Sequence, residues 1–448
     1  MRRTVLFAVA SLALLAAPAA PVEALPRAAC AEAVGVSAVR LARVDAAMRE
    51  LVQAGEVAGA VTYIARAGKI AHLSAVGMAD IERGSAMRED TLFRIASQTK
   101  PVTSVAIMML VEEGRIGLHD PLSRFLPAFA AVKVAVPAAS DAAGPEDSDA
   151  AALEFVPARR QITIRDLLTH TSGVPYGFGP TAALWAEAGA AGGYYADRDE
   201  PMAALVERMA RLPLDAHPGD RWIYGNSTDI LGVVVETVSG QSLDEFFRER
   251  IFAPLRMNDT HFFVPEEQAS RLATVYTAGA SGLRRAEGSG GLDGQGHFVT
   301  GPRRAFAGGS GLVSTAADYG RFLQMVLNGG ELDGVRLLSP QSVALMRSNQ
   351  VGEKFAEAVP ERDGLGFGLG FAVLEDPGRA GEFGSPGSFG FAGAFFTAFW
   401  LDPQEALVTQ FLVQLRPPHD PQLQSRFRAL AYQALVGLPP AEGAAVCR

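Results

Sequence analysis

A serine and a lysine three residues apart are the side chains of this sequence best suited to nucleophilic chemistry. They are Ser97 and Lys100, in the run Phe93-Arg94-Ile95-Ala96-Ser97-Gln98-Thr99-Lys100-Pro101. Val102, Val105, Ala106, Met109 and Leu110 follow at helical spacing, which predicts a buried helix with the pair at its start. Side chains three apart leave the same face of a helix. An amine beside a hydroxyl takes up its proton or favours its loss electrostatically, giving a nucleophile for acyl transfer. A helix N-terminus adds to that by favouring negative charge. The chain has four lysines, Lys69, Lys100, Lys133 and Lys354, and only Lys100 lies three residues after a serine. Taken alone the motif is short, and a serine at a helix start is commonly just an N-cap.

A second segment, Arg221-Trp222-Ile223-Tyr224-Gly225-Asn226-Ser227, offers a partner. Tyr224 is a candidate general base, because a nearby ammonium favours phenolate. Asn226 brings an amide able to hold a substrate carbonyl or the lysine. The plainer alternative for Tyr224 is a buried phenol bonded to backbone. The order Ser-x-x-Lys followed by Tyr-x-Asn is more specific than either part.

The elements that must position these groups are readable in outline. Residues 39–54 carry a helical apolar stripe. Residues 58–65 and 70–76 read as a hairpin around Ala67-Gly68-Lys69. Residues 134–158, rich in Ala, Pro, Ser, Asp and Glu, read as an exposed loop. Helical patterns cover 164–170, 201–211 and 227–238, and 277–302 are Gly-rich and irregular. A helix is expected at 315–327, strands at 367–374, 393–401 and 406–415, and a last helix at 423–435. The expected fold is α/β of the α+β kind: an antiparallel sheet flanked by helices, with an inserted helical subdomain.

Composition narrows the function. The net charge is −9 and there is no Lys/Arg-rich run, so nucleic acid is a poor partner. Arg2 and Arg3 precede an apolar stretch over 5–15, too short to span a bilayer, and then small residues. Residues 1–24 therefore read as a signal peptide, cleaved near Val22-Glu23-Ala24 or Ala17-Pro18-Ala19. The mature protein is expected to be periplasmic or secreted, with no membrane association after cleavage. Seven scattered histidines show no ligand spacing, so neither a metal nor a cofactor is expected. The Gly-x-Ser-x-Gly elbow of α/β-hydrolases is lacking. Cys30 and Cys447, the only cysteines, stand at opposite ends of the mature chain.

Two further segments carry a family resemblance. Ile162-Thr163-Ile164-Arg165-Asp166-Leu167-Leu168-Thr169-His170-Thr171-Ser172-Gly173 is one, and Gly308-Gly309-Ser310-Gly311-Leu312-Val313-Ser314-Thr315, with Asn328-Gly329-Gly330 downstream, is the other. With the two chemical motifs they resemble the serine β-lactamase-related superfamily, in its class C β-lactamase and family VIII carboxylesterase branch. The resemblance spans about 40–438. It implies an α/β part over about 40–115 and 300–438 and a helical part over about 116–299, with the site between them. It implies Ser97 as nucleophile, Lys100 as a partner in its deprotonation, Tyr224 as general base and Asn226 as a substrate contact, while His170 reads as structural.

The family's third element departs from its usual form. Where Lys-Thr-Gly or His-x-Gly is common, this chain has Phe391-Ala392-Gly393, closer to the Trp-Gly-Gly of the esterase branch; Ser388-Phe389-Gly390 is a second possible register. Phe391 and Gly393 are therefore candidate substrate contacts. In the first register the amides of Ser97 and Ala394 form the oxyanion hole. Neither register offers a cation for a substrate carboxylate. The expected substrate is a small ester with an uncharged acyl group. A cell-wall-like amide (D,D-peptidase, D-aminopeptidase or weak β-lactamase activity) and a non-catalytic peptidoglycan-binding module are the alternatives. The family fold also packs the first and last helices side by side, which would bring Cys30 and Cys447 into disulfide range. Two free thiols on loose tails are the alternative. The oligomeric state has no signature in the sequence.

Overall fold

The computed structural model describes residues 24–138, 153–279, 282–288, 291, 294–418, 420–437 and 447. Residues 1–23, which hold nearly all of the signal-peptide reading, and 139–152 of the expected loop lie outside these.

One eight-stranded sheet organises the chain. Its strands run in the order Leu365–Phe367, Ala372–Leu374, Phe389–Ala392, Ala398–Asp402, Leu407–Leu412, Gly59–Arg66, Lys69–Asp80 and Ser85–Ala86, with antiparallel neighbours throughout. The N-terminal hairpin closes on the C-terminal strands through Val61↔Leu412 to Arg66↔Leu407. Everything between residues 87 and 364 is thus inserted into a sheet built from the two ends of the chain. Gly59–Arg66 is buried at all eight positions, as befits a central strand covered on both faces.

Each face has its own helices. On one, Ala38–Gln53 and Leu423–Tyr432 lie side by side over Ile64 and Phe411, burying Val44, Met48 and Phe427. Arg40 and Arg43 reach across to Gln433. Cys30 and Cys447 are joined near this end, with Cα atoms 5.7 Å apart. On the other face, Thr99–Glu112 and Ala316–Leu327 cover Val61, Tyr63 and Phe399. The first of these is buried from Thr99 through Leu110. It is a core helix, the buried helix that the apolar spacing after Lys100 predicts.

Three local expectations need correction. Residues 133–157 are not only loop, because Lys133–Pro137 pairs with Leu153–Pro157. The expected strand over 367–374 is two short strands turned at Gly368–Gly370. The expected strand over 393–401 begins instead as a tight turn, since the Gly393 N–H donates to Thr397 O at 2.7 Å and the Phe396 N–H to Gly393 O at 2.9 Å. Among the described residues no helix is long and apolar enough to cross a membrane.

Candidate active site

Ser97 stands one turn ahead of its helix. The preceding strand Phe93–Arg94 leads into a 3₁₀ turn, Ala96–Gln98, and the α-helix starts at Thr99. Ala96 takes a left-handed conformation, φ 44°, which costs a non-glycine residue roughly 1–2 kcal/mol. Packing against Val275, Ala286 and Phe395 holds it there. The turn is clamped from behind as well: Leu312 N–H donates to Thr99 Oγ1 (3.0 Å), Thr103 Oγ1 to Gly308 O (2.6 Å) and Tyr319 Oη to Gln98 O (2.7 Å).

Lys100 is the hub. It is 1% exposed, so its ammonium needs partners. Nζ donates to Ser97 Oγ at 3.2 Å, Tyr176 Oη at 2.9 Å and Gly309 O at 2.7 Å. Three acceptors match the three N–H bonds of an ammonium.

The hydrogen-bonded tyrosine is therefore Tyr176, which sequence reasoning missed, and not Tyr224. Tyr224 instead offers its ring, with Nζ 4.8 Å from the centroid. That ring stacks on Trp222 at 5.7 Å and meets Tyr176 edge-on at 5.3 Å. Burial pushes the Tyr176 phenol well above the usual tyrosine range, with the Tyr224 and Asp229 charges adding to it. Tyr176 thus anchors Lys100. Half-buried Tyr224 lines the open cleft. Its position three residues past the Thr-His-Thr-Ser-Gly motif was the available signal for Tyr176.

That motif earns its place by geometry. Thr163 and Asp166 form a capping box for the short helix Ile164–Leu168. Asp166 also takes Arg160 in a two-point contact, 2.6 and 2.9 Å. The helix ends in His170, left-handed at φ 56°, and Ser172 Oγ then meets Ser227 Oγ at 2.8 Å. His170 is buried among Trp222, Tyr224 and Phe367. Its backbone oxygen accepts from Ile223 N–H at 2.8 Å. Burial, aided by the Lys100 charge, holds its imidazole well below the usual histidine range. A neutral His170 that orients Tyr224 fits the structural reading.

Asn226 is a correction. It is fully buried, and its amide is spent on the scaffold. Nδ2 donates to Pro175 O (3.0 Å) and Ala190 O (3.1 Å), while Oδ1 accepts from Tyr195 Oη (2.7 Å). No substrate contact is left to it. By fixing Pro175 it places Tyr176.

The strand Phe389–Ala392 passes beside the nucleophile turn, and it does so in the Phe391 register. Phe391 is partly exposed and its ring lies 6.3 Å from that of Tyr224, whereas Ser388, Phe389 and Gly390 are buried. Gly393 must be glycine for a close approach, because a Cβ there would stand 2.5 Å from Ile95 O. Its own N–H is used within the turn, and the next residue, Ala394, packs against the cluster that holds Ala96 of the nucleophile turn.

A cleft of about 510 Å³ opens next to these groups, lined by Tyr176, Phe178, Arg221, Trp222, Tyr224 and Lys354 among others. Among the described residues no group of acidic, histidine or cysteine side chains is arranged to hold a metal ion.

The sequence profile of the family described as Beta-lactamase matches residues 44–433. Protein Rv1367c of Mycobacterium tuberculosis is 40% identical over 383 residues, 83% of this chain and 90% of that protein. Esterase EstB of Burkholderia gladioli is 33% identical over 374 residues, 81% of this chain and 87% of that protein. Among solved structures, EstCE1, a hydrolase with promiscuous acyltransferase activity, superposes with a TM-score of 0.72 at 28% identity, covering 88% of this chain and 99% of that one.

Proposed function

This chain belongs to the Beta-lactamase family, and we propose that it is an ester hydrolase working through an acyl-enzyme on Ser97. Lys100, held as an ammonium by three acceptors, favours the Ser97 alkoxide. Tyr224 is the base that receives the proton. The Ser97 Oγ–carbon bond forms as the ester C–O bond breaks, and the proton passes from Tyr224 to the departing alkoxide. Water, deprotonated by the same tyrosine, then attacks the acyl carbon; the acyl–Oγ bond breaks, the tyrosine returns its proton to Ser97 Oγ and the acid leaves. The Ser97 and Ala394 amides stabilise the oxyanion in both steps. Tyr176 and Asn226 act as positioning residues for Lys100.

The observation that carries the ester reading is Phe391. On the strand beside the nucleophile turn, an apolar ring stands where a β-lactam or peptide carboxylate needs a cation to pair with. The cations of the cleft, Arg221 and Lys354, come from other elements. The esterase relative supports the same choice, and the acyltransferase activity of the structural neighbour makes alcohols sensible second acceptors.

We also propose export. The basic and apolar N-terminal pattern supports it, as does a Cys30–Cys447 bridge, a bond that persists in oxidising compartments.

The test is a panel of p-nitrophenyl esters, a chromogenic cephalosporin and D-Ala-D-Ala peptides, with the acyl-enzyme identified by mass. Short esters should exceed the cephalosporin by at least ~100-fold in kcat/KM, about 2.7 kcal/mol of transition-state binding. A cephalosporin or peptide equal to the best ester overturns the reading.

A further inference from the structure

Across Gly309 from Lys100 sits a buried carboxyl group that the mechanism above does not use. Asp229 lies in the first turn of the helix Ser227–Ser239 and is 1% exposed. Its Oδ1 accepts the Gly309 N–H at 2.9 Å. Its Oδ2 has no hydrogen-bond partner among the described residues. Gly309 is the link to the site: its N–H faces Asp229, and its C=O takes a proton of Lys100 at 2.7 Å. The approach requires glycine, since a Cβ at 309 would stand 2.4 Å from Asp229 Oδ2.

An asparagine at 229 would accept the same N–H without burying a charge. Burying a carboxylate with an unpaired oxygen is expensive. A charge kept at that cost points to a use for the charge itself. The groups that face it are Lys100 from the nucleophile helix and the Tyr176 and Tyr195 phenols from the segments packed across it. Its charge opposes ionisation of both phenols, and it attracts the ammonium.

We propose that Asp229 is the positioning counter-charge of Lys100. Ionised, it fixes the Gly309 carbonyl on the ammonium and keeps the proton on Lys100, not on its neighbours; protonated, it releases both. Ser97 activation then requires the Asp229 carboxylate. Burial pushes this group up to about 6, against the opposing pull of Lys100 and the Gly309 N–H. Activation should therefore fall as pH drops through that value.

The inference rests on Ser97 being the nucleophile, so the experiment reads Ser97 directly and needs no particular ester. A fluorophosphonate is reacted with the wild type and with Asp229→Asn from about pH 5 to 8, and the rate of Ser97 modification is followed by mass. In the wild type the rate should fall toward tenfold per pH unit below about pH 6, as one required ionisation gives. Asp229→Asn should be at least ~10-fold slower at neutral pH and should lack that inflection. A purely structural aspartate would leave the profile of the folded variant in place. A variant with the wild-type rate and inflection overturns the proposal. So does a wild-type rate that is flat between about pH 5 and 7, whether or not the variant folds. No Ser97 modification of the wild type at any pH overturns the hydrolase reading and this proposal together.

Discussion

Asp166 and Asp229 are both buried carboxylates within the inserted part of the chain, 3% and 1% exposed, and they are treated in opposite ways. Asp166 is surrounded by donors: the two Arg160 contacts, the Thr163 N–H and hydroxyl at 2.8 and 2.7 Å, and Thr171 Oγ1 at 3.3 Å. Burial would raise its pKa, but the Arg160 and Thr163 bonds outweigh that and hold it below the usual carboxylate range. Asp229 has one donor, an orphaned oxygen and a raised pKa. The first carboxylate holds a capped turn in place. The second is left partly unsatisfied where its charge reaches Lys100. Other unpartnered buried polar atoms share that neighbourhood, namely the Gln98 side-chain amide, His170 Nδ1 and Trp222 Nε1. Unpartnered buried atoms also occur in the scaffold, Asp318 Oδ1 and Tyr63 Oη among them, so what sets Asp229 apart is its link to Lys100 through Gly309.

The contrast predicts that damage near Lys100 costs chemistry and damage near Asp166 costs stability. The largest effect belongs to Ser97→Ala, which should abolish turnover and organophosphonate labelling while leaving the melting temperature within a few degrees of wild type. Labelling that persists on another residue would refute Ser97 as nucleophile.

The two tyrosines sharpen the comparison inside the site. Tyr224→Phe removes the base and should cost at least ~10²-fold in kcat, with little effect on folding. Tyr176→Phe takes one acceptor from a buried ammonium, so it should lower both kcat and the melting temperature. Lys100→Ala combined with Tyr224→Phe should be far from additive, as groups that act as a unit are. Near-wild-type kcat in Tyr224→Phe, with a large loss in Tyr176→Phe, would transfer the base to Tyr176.

The same contrast explains what was legible in the sequence. Sheet, flanking helices and the Ser97–Lys100 pair follow from apolar periodicity and three-residue spacing, both local properties of the chain. Tyr176 and Asp229 are not local to Lys100. They reach it 76 and 129 residues along the chain, through a glycine carbonyl and the turn after His170, and no period marks such a meeting. Asn226 misled for the opposite reason: its type suits a substrate contact, but only its burial against Pro175 and Tyr195 shows that its amide is already spent. The apolar run over 367–374 predicts one strand because nothing in its periodicity marks the Gly368–Gly370 turn that divides it.

On the satisfied side, Asp166→Ala removes the capping box and the acceptor for Arg160. The expected cost is about 2–3 kcal/mol, combining a lost cap with lost charge-assisted bonds and discounted because Arg160 is partly exposed and regains water. Thermal unfolding should show it at neutral pH. The folded pKa lies below the unfolded value, so this stabilisation is full above about pH 4 and disappears as pH falls further. A variant whose deficit were unchanged at about pH 2.5 would contradict the assignment.

Asp229→Asn should show the smallest effect, with the opposite sign. Here the folded pKa, about 6, lies above the unfolded value of about 3.9. The folded wild type binds the extra proton between those limits, so its stability rises as pH drops from about 6 to 4. The asparagine variant avoids the buried charge while keeping the acceptor for Gly309. At neutral pH it should melt higher than wild type, by an equivalent of about 1–2 kcal/mol after discounting for relaxation around the charge. That advantage should shrink steadily as the pH is lowered toward 4. Differential scanning calorimetry at pH 7.5, 6 and 4.5 resolves the trend. A variant less stable than wild type at pH 7.5 would mean that the Asp229 charge is held for the fold, as that of Asp166 is, and would erase the distinction between the two carboxylates.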